Sequence, residues 1–183
     1  MKTPFIIGEK IYFRAVEMDD ANLLLRCNNQ PEVRETFFIA FPSNINRQEL
    51  DIKNLYDRQD YIPFIICEKE TDRAVGITAF HRVDLVSRAA VFSIRIADPA
   101  DWGKGFGGEA TRMMLKYGFD QLNLNRIQLV VSTENERGHR AYLKSGFVQE
   151  GIMRQAMYHH DRYSDFYLMS ILREEYYKHG GLK

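Results

Sequence analysis

An α+β fold is predicted by three features of the chain: a mixed, mainly antiparallel sheet of about seven strands with one parallel pair, flanked by helices. Three runs rich in β-branched and aromatic residues, Ile62 to Glu68, Ala74 to Val83 and Ala89 to Ala97, are separated only by the short turns E-T-D-R and L-V-S-R, which is the pattern of an antiparallel meander. The third run enters a glycine-rich stretch, D-P-A-D-W-G-K-G-F-G-G-E-A from Asp98 to Ala110, and a helix-forming run follows it. That helix leads through N-L-N to a further β run, R-I-Q-L-V-V-S-T from Arg126 to Thr133. A strand reached across a helix crossover pairs in parallel with the strand it left.

The remaining elements follow in order. Lys10 to Val16, K-I-Y-F-R-A-V, alternates as a first strand. Asp19 or Asp20 then caps a helix that carries Leu23, Leu24 and Cys27 and ends before Pro31. Asn46 to Gln59 is a second amphipathic helix, with Ile52, Leu55 and Tyr56 on one face and Asn46 with Glu49 as a capping pair. The apolar connection Glu35 to Pro42, E-T-F-F-I-A-F-P, supplies either core or one wall of a pocket. After the glycine turn, Gly107 to Leu122 buries Ala110, Met113, Met114 and Tyr117. A short helix from Glu136 to Ser145 is capped by Asn135 and stopped by Gly146. Two final strands, Phe147 to Ala156 and Tyr163 to Leu172, flank a turn at H-H-D-R.

Composition narrows the function. The 183 residues suit a single domain spanning 1–183, and 45% hydrophobic with 13% aromatic content excludes a disordered chain. Lys plus Arg and Asp plus Glu are 25 each, so no net charge draws the chain to nucleic acid or to a membrane surface. No segment reaches the ~20 apolar residues of a membrane span, and the N-terminal apolar run is too short for a signal peptide. A cytoplasmic protein is expected, with Cys27 and Cys67 as buried free thiols.

The glycine stretch carries the chemistry. Gly103, Gly105, Gly107 and Gly108 occupy four of six positions at the start of a helix. Without a Cβ, glycine takes positive φ and lets a ligand reach the backbone. The unpaired amides of a helix's first turn then offer a concavity for phosphate or pyrophosphate. A P-loop is excluded because Lys104 precedes Gly and Phe, and the dinucleotide G-x-G-x-x-G fails for want of its third glycine.

The stretch resembles the acyl-CoA pyrophosphate loop of the GNAT-type N-acetyltransferases, Q/R-x-x-G-x-G/A, here Trp102-Gly103-Lys104-Gly105-Phe106-Gly107. The wording P-x-x-W-G-K-G-x-G-x-E-A, from Pro99 to Ala110, is similar to the branch containing the ribosomal-protein N-terminal (Rim-type) and spermidine acetyltransferases. Trp102 departs from the polar residue usual at the first position. The resemblance implies the GNAT fold, with its parallel pair splayed to admit the pantetheine arm, and main-chain amides from Lys104 through Gly105, Phe106, Gly107 and Gly108 to Glu109 on the diphosphate. A second segment, N-E-R-G-H-R-A-Y-L-K-S-G-F, resembles the family's N-x-x-A-x-x-x-Y-x-K-x-G-F, with Gly138 in place of the usual Ala or Ser. Asn135 and Tyr142 lie seven apart on one helix face. By the resemblance, Asn135 meets the pantetheine arm and Tyr142 protonates the departing thiolate; read alone, the first is an N-cap and the second a buried amphipathic side chain.

Attack on a thioester requires a neutral amine and hence a base near it. The strand Ala89 to Ala97, where many relatives place Glu, has no carboxylate, so the base is water or a side chain elsewhere, with Glu35, His81 and Asp165 as candidates. The developing oxyanion would be met by a main-chain N–H at Ile96 or Ala97. Lys104, Arg140 and Lys144 are candidates for the CoA phosphates, or a solvated face. The turn His159-His160-Asp161 lacks a third ligand at metal spacing and is assigned to the surface; no metal is expected.

These features lead to an acetyl-CoA-dependent N-acetyltransferase working by direct transfer, as a monomer or homodimer. A peptide or protein N-terminus is the expected acceptor and a polyamine or other small amine the alternative; a non-catalytic acetyl-CoA sensor is the rival from another class.

Overall fold

A computed structural model of the chain describes residues 2–35, 37, 39–159, 161–178 and 180. Eight strands form one sheet: β1 (Ile6–Ile7), β2 (Ile11–Arg14), β3 (Ile62–Glu68), β4 (Ala74–Asp84), β5 (Ala89–Ile96), β6 (Arg126–Ser132), β7 (Val148–His159) and β8 (Arg162–Leu172). Their spatial order is β1-β2-β3-β4-β5-β6-β8-β7, antiparallel everywhere except between β5 and β6. The helices are α1 (Ala21–Asn29), α2 (Pro31–Arg34), α3 (Ile45–Lys53), α4 (Phe106–Lys116), α5 (Glu136–Lys144) and α6 (Arg173–Lys178).

Both faces of the sheet are covered. Ile11, Phe13, Phe64, Ile66, Phe80 and Phe92 pack with Phe106, Met113 and Met114 of α4. On the other face Tyr12, Ile65, Cys67 and Ile77 pack with Leu23 and Cys27 of α1 and Ile52 of α3. Consecutive residues Pro63 to Cys67 of β3 are therefore all buried, because each face needs an apolar side chain. Cys27 and Cys67 are buried free thiols in this second layer.

The parallel pair is short. Only Ala89–Val91 of β5 register with Arg126–Gln128 of β6. Beyond them β6 continues along β8 as far as Ser132↔Phe166, and β5 continues along β4 as far as Ile96↔Gly76. The two middle strands thus part company, and a gap opens between the end of β5 and the end of β6.

Several boundaries differ from the sequence expectation for physical reasons. Eight strands replace about seven because Ile6–Ile7 pairs back on Tyr12 and Phe13 in a hairpin too short to show periodicity. α3 starts one residue earlier than predicted: Asn44, not Asn46, is its cap, accepting from the Arg47 amide at 2.9 Å. Asp20 makes no side-chain cap on α1. Its carboxylate instead takes Arg14 Nη1 and Nη2 at 2.7 Å and the Glu17 amide at 2.8 Å, a buried pair that ties β2 to α1. α2 and α6 were not anticipated, each being too short to display a full amphipathic stripe. The helix expected from Gly107 to Leu122 is α-helical from Phe106 to Lys116, then widens to a π-turn over Tyr117–Gln121. β7 runs past Ala156 to His159, and His160, in the H-H-D-R turn, lies outside the described residues.

Candidate active site

The gap between β5 and β6 is a cleft of about 390 Å³. Trp102, Gly103 and the start of α4 form one wall, Asn135, Arg137 and Tyr142 of α5 another, and Glu32, Val33 and Phe37 close the α2 side.

The glycine loop is built as a cradle. Gly103 and Gly105 sit at φ 82° and 93°, in the left-handed region that side chains disfavour. The first intrahelical bond of α4 runs from the Glu109 amide to the Gly105 carbonyl at 3.0 Å, so the amides of Phe106, Gly107 and Gly108 have no acceptor within the helix. A Cβ placed on Gly107 would meet nothing within 4 Å, so the concavity is open at its centre. Gly105, Phe106, Gly107 and Gly108 all line the cleft. Lys10 adds a cation beside them: its Nζ lies 3.7 Å from where a Gly105 Cβ would stand and donates to the Lys104 carbonyl at 3.4 Å. Nothing in the local sequence pointed to Lys10, which arrives from β2's side of the sheet.

An ion cluster around buried Asp101 pins this loop. Asp101 receives Arg73 in a two-pronged contact at 2.7 Å on each oxygen and Lys104 Nζ at 2.7 Å. These hydrogen bonds, Arg73's first, hold the Asp101 carboxyl down at about 2. A carboxylate lowered in the folded state contributes stability that is complete above its ordinary value of ~3.9 and lost as pH falls through about 2. Asp101→Asn is expected to cost about 1–2 kcal/mol, because Arg73 and Lys104 are half exposed and can be resolvated. Urea melts at pH 7 and pH 3 would show the variant's deficit shrinking at the acid end.

Several expected contacts are corrected. Glu109 is turned away: its amide is spent inside α4, and its buried carboxylate accepts the amides of Lys10 and Ile11 at 3.0 and 3.3 Å. The Lys104 side chain is engaged by Asp101 and does not line the cleft. Arg140 pairs with Glu136 one turn earlier at 2.9 Å, and Lys144 is exposed at the end of α5; neither lines the cleft. Arg137 does. Its guanidinium lies 4.2 Å from the centre of the Trp102 ring, held over the aromatic face. Sequence spacing favoured Arg140 and Lys144 because they share a helix face, but it is Arg137, in the first turn of α5, that meets the loop at Trp102. Arg137→Ala is therefore expected to weaken acetyl-CoA binding roughly threefold to tenfold, more at low salt, and Arg140→Ala to leave it unchanged, as read by calorimetric titration.

The strand end separates the two oxyanion candidates. The Ala97 amide donates to the Val75 carbonyl at 2.9 Å and is consumed by the sheet, so Ala97 is withdrawn as a donor. In an antiparallel ladder alternate residues face opposite edges, so the main chain of Ile96 points away from β4 and toward the gap. The Ile96 carbonyl accepts Trp102 Nε1 at 3.3 Å, consistent with that orientation.

On α5, Asn135 Oδ1 accepts the Gly138 amide at 2.9 Å, so the side chain is a true N-cap and also lines the cleft. A Cβ at Gly138 would stand 2.7 Å from Asn135 Nδ2, which gives a reason for glycine there. Tyr142 lines the cleft with its ring edge-on to Phe92 at 6.2 Å and near Phe147 at 5.8 Å. Burial pushes its phenol up to about 12.

None of the three expected bases lines the cleft. Asp165 Oδ1 accepts the Gln155 amide at 2.8 Å, and its carbonyl accepts the Thr133 amide at 3.0 Å, so it fastens β7 to β8 and to the end of β6. His81 Nε2 is 2.7 Å from Ser93 Oγ, and burial, followed by the nearby Arg95 and Arg58, lowers the imidazole to about 4. Glu35 follows α2 and does not line the cleft; Glu32, one turn earlier, does. Among the described residues no cluster of three or more metal-ligating side chains occurs.

Comparison with known proteins places this cleft in context. A family model described as the acetyltransferase (GNAT) domain matches residues 10–148. Spermidine N(1)-acetyltransferase of Vibrio cholerae is 29% identical over 171 residues, 93% of this chain and 97% of that protein. YdaF of Bacillus subtilis, provisionally named a ribosomal N-acetyltransferase, is 31% identical over 189 residues, 93% of this chain and 95% of its own. A crystal structure of the Vibrio cholerae spermidine N-acetyltransferase in complex with CoA and spermine superposes with a TM-score of 0.85 at 27% identity, covering 93% of this chain and 99% of the other.

Proposed function

Because this chain belongs to the acetyltransferase (GNAT) domain family, we propose that its cleft carries acetyl-CoA along the α4 and α5 wall and passes the acetyl group directly to a primary amine entering past α2. The chain is an acetyl-CoA-dependent N-acetyltransferase, and the sensor alternative is set aside with that. One observation carries the placement: Phe106 to Gly108, whose amides have no acceptor within the helix, and Tyr142 line the same cleft.

The geometry supports a division of labour. The α4 amides hold the diphosphate, helped by Arg137 and Lys10. The amine nitrogen attacks the thioester carbonyl, whose oxygen is met by the Ile96 amide. The C–S bond breaks and the thiolate takes the proton of Tyr142. Glu32 replaces Glu35, His81 and Asp165 as candidate base: of the two cleft-lining carboxylates among the described residues, Asp101 is already committed to Arg73 and Lys104.

Two acceptor readings stand. The Vibrio cholerae relative named for spermidine supports a polyamine. The peptide N-terminus is supported by the provisional name of YdaF and by a cleft edge that carries a cation as well as a carboxylate. A thiol-release assay over diamines, spermidine, peptides with free N-termini and amino sugars, run beside calorimetric titration with acetyl-CoA, tests both. Acceptor-dependent thiol release is expected; binding without release from any amine would overturn the reading.

A further inference from the structure

The acceptor end of the cleft holds a guanidinium with no carboxylate partner. Residues of β5 alternate between faces: Phe92, Ile94 and Ile96 pack toward α4, and Ser93 and Arg95 therefore project to the face covered by α1 and α3. Arg95 lines the cleft from that face. Two contacts hold it. Its Nη1 donates to Asn28 Oδ1 on α1, and its guanidinium lies 5.6 Å from the centre of the Phe37 ring. Among the described residues no Asp or Glu makes an ion pair with it, in contrast to Arg14, Arg73 and Arg126, each of which is paired to a carboxylate. A half-buried guanidinium that is positioned by a neutral amide and an aromatic ring keeps its remaining donors for an acceptor of charge.

Resting on the N-acetyltransferase reading above, we propose that Arg95 is a specificity-determining residue that selects, as acetyl acceptor, a primary amine bearing a carboxylate close to its amino group. A polycation in the same place would set ammonium against guanidinium in a partly desolvated cleft, and like charges so placed are disfavoured. A carboxylate instead finds a planar, two-pronged donor on the acceptor side, while Glu32 on the facing α2 attracts the ammonium end. Asn28 acts on substrate only through Arg95 and is a positioning residue.

The test compares matched acceptors that differ in one group: amino acids, their carboxamides and the corresponding decarboxylated amines, with spermidine alongside, each assayed for kcat/KM by thiol release. The wild type is expected to favour the carboxylate over its carboxamide by about 10- to 100-fold. Arg95→Met should bring that ratio close to one, Arg95→Lys should leave it intermediate because the charge is kept and the fork lost, and Asn28→Ala should lower it partially. Titration with acetyl-CoA reports whether each variant is folded. Turnover with no preference for the carboxylate, a preference for spermidine, or a ratio untouched by Arg95→Met would overturn the assignment of Arg95 and leave the transferase reading intact. Absence of acceptor-dependent release from every amine, with acetyl-CoA still bound, would overturn both.

Discussion

Tyr142→Phe is expected to lower kcat on the order of a hundredfold to ten-thousandfold with acetyl-CoA affinity almost unchanged. The ring stays: Phe keeps the edge-on contact with Phe92 and the packing on Phe147, so the fold and the cleft wall survive. Only the hydroxyl goes. Burial holds the wild-type phenol up at about 12, so Tyr142 remains protonated across the range in which the amine acceptor becomes neutral. Wild-type kcat should accordingly rise with pH as the amine deprotonates and show no falling limb from Tyr142 until pH nears about 12. The same shift has a stability sign. A phenol raised in the folded state contributes stability that is complete below its ordinary value of ~10 and lost as pH rises through about 12. Pre-steady-state thiol release with both proteins at pH 7.5 separates the chemical step from cofactor binding. An unchanged rate in the variant would remove Tyr142 as the acid.

Gly107→Asp is expected to reduce acetyl-CoA affinity by about a hundredfold or more while leaving the fold intact. Gly107 lies in the first turn of α4, has no positive φ, and offers a new Cβ open space within 4 Å. An acidic residue in a helix's first turn interacts favourably with the unpaired amides, so the melting temperature should be equal or higher by about 1–4 °C. The carboxylate would sit where the diphosphate is proposed to bind and repel it. Binding loss without melting loss is the opposite of what a purely structural glycine would give. Normal affinity in this variant would mean that the diphosphate binds elsewhere, and the roles given to Arg137 and Lys10 would fall with it.

Much of the fold was legible because its signals are local. The meander from Ile62 to Ile96 needs only alternating or continuous apolar runs and turn residues, and the structure has β3, β4 and β5 there. The glycine turn was readable for the same reason, since positive φ at Gly103 and Gly105 is a property of single residues. What escaped was short or non-local. β1 and α2 are too brief for periodicity, and Asn44 shifts the start of α3 because a cap depends on one hydrogen bond. The excess of strands over the expected count comes from that same short hairpin.

Within the cleft, the sequence alone pointed to the glycine loop and to the helix with Asn135 and Tyr142, because both motifs are contiguous, and residues of both line it. Which charges reach the cleft was decided by tertiary contacts. Arg73 and Lys104 are drawn to buried Asp101, Asp165 is spent on the Gln155 amide, and Arg140 folds back on Glu136. Arg137 and Arg95 line it instead, from α5 and from β5, while Lys10 reaches the glycine loop from the chain beside β2. An ion's role depends on the nearest opposite charge and on the side of the sheet it emerges from. The side of the sheet is set by strand pairings between residues tens of positions apart, and the Arg73–Asp101 pair spans 28 positions; Lys104–Asp101 and Arg140–Glu136, three and four apart, are local competitors that only the folded helix and loop select.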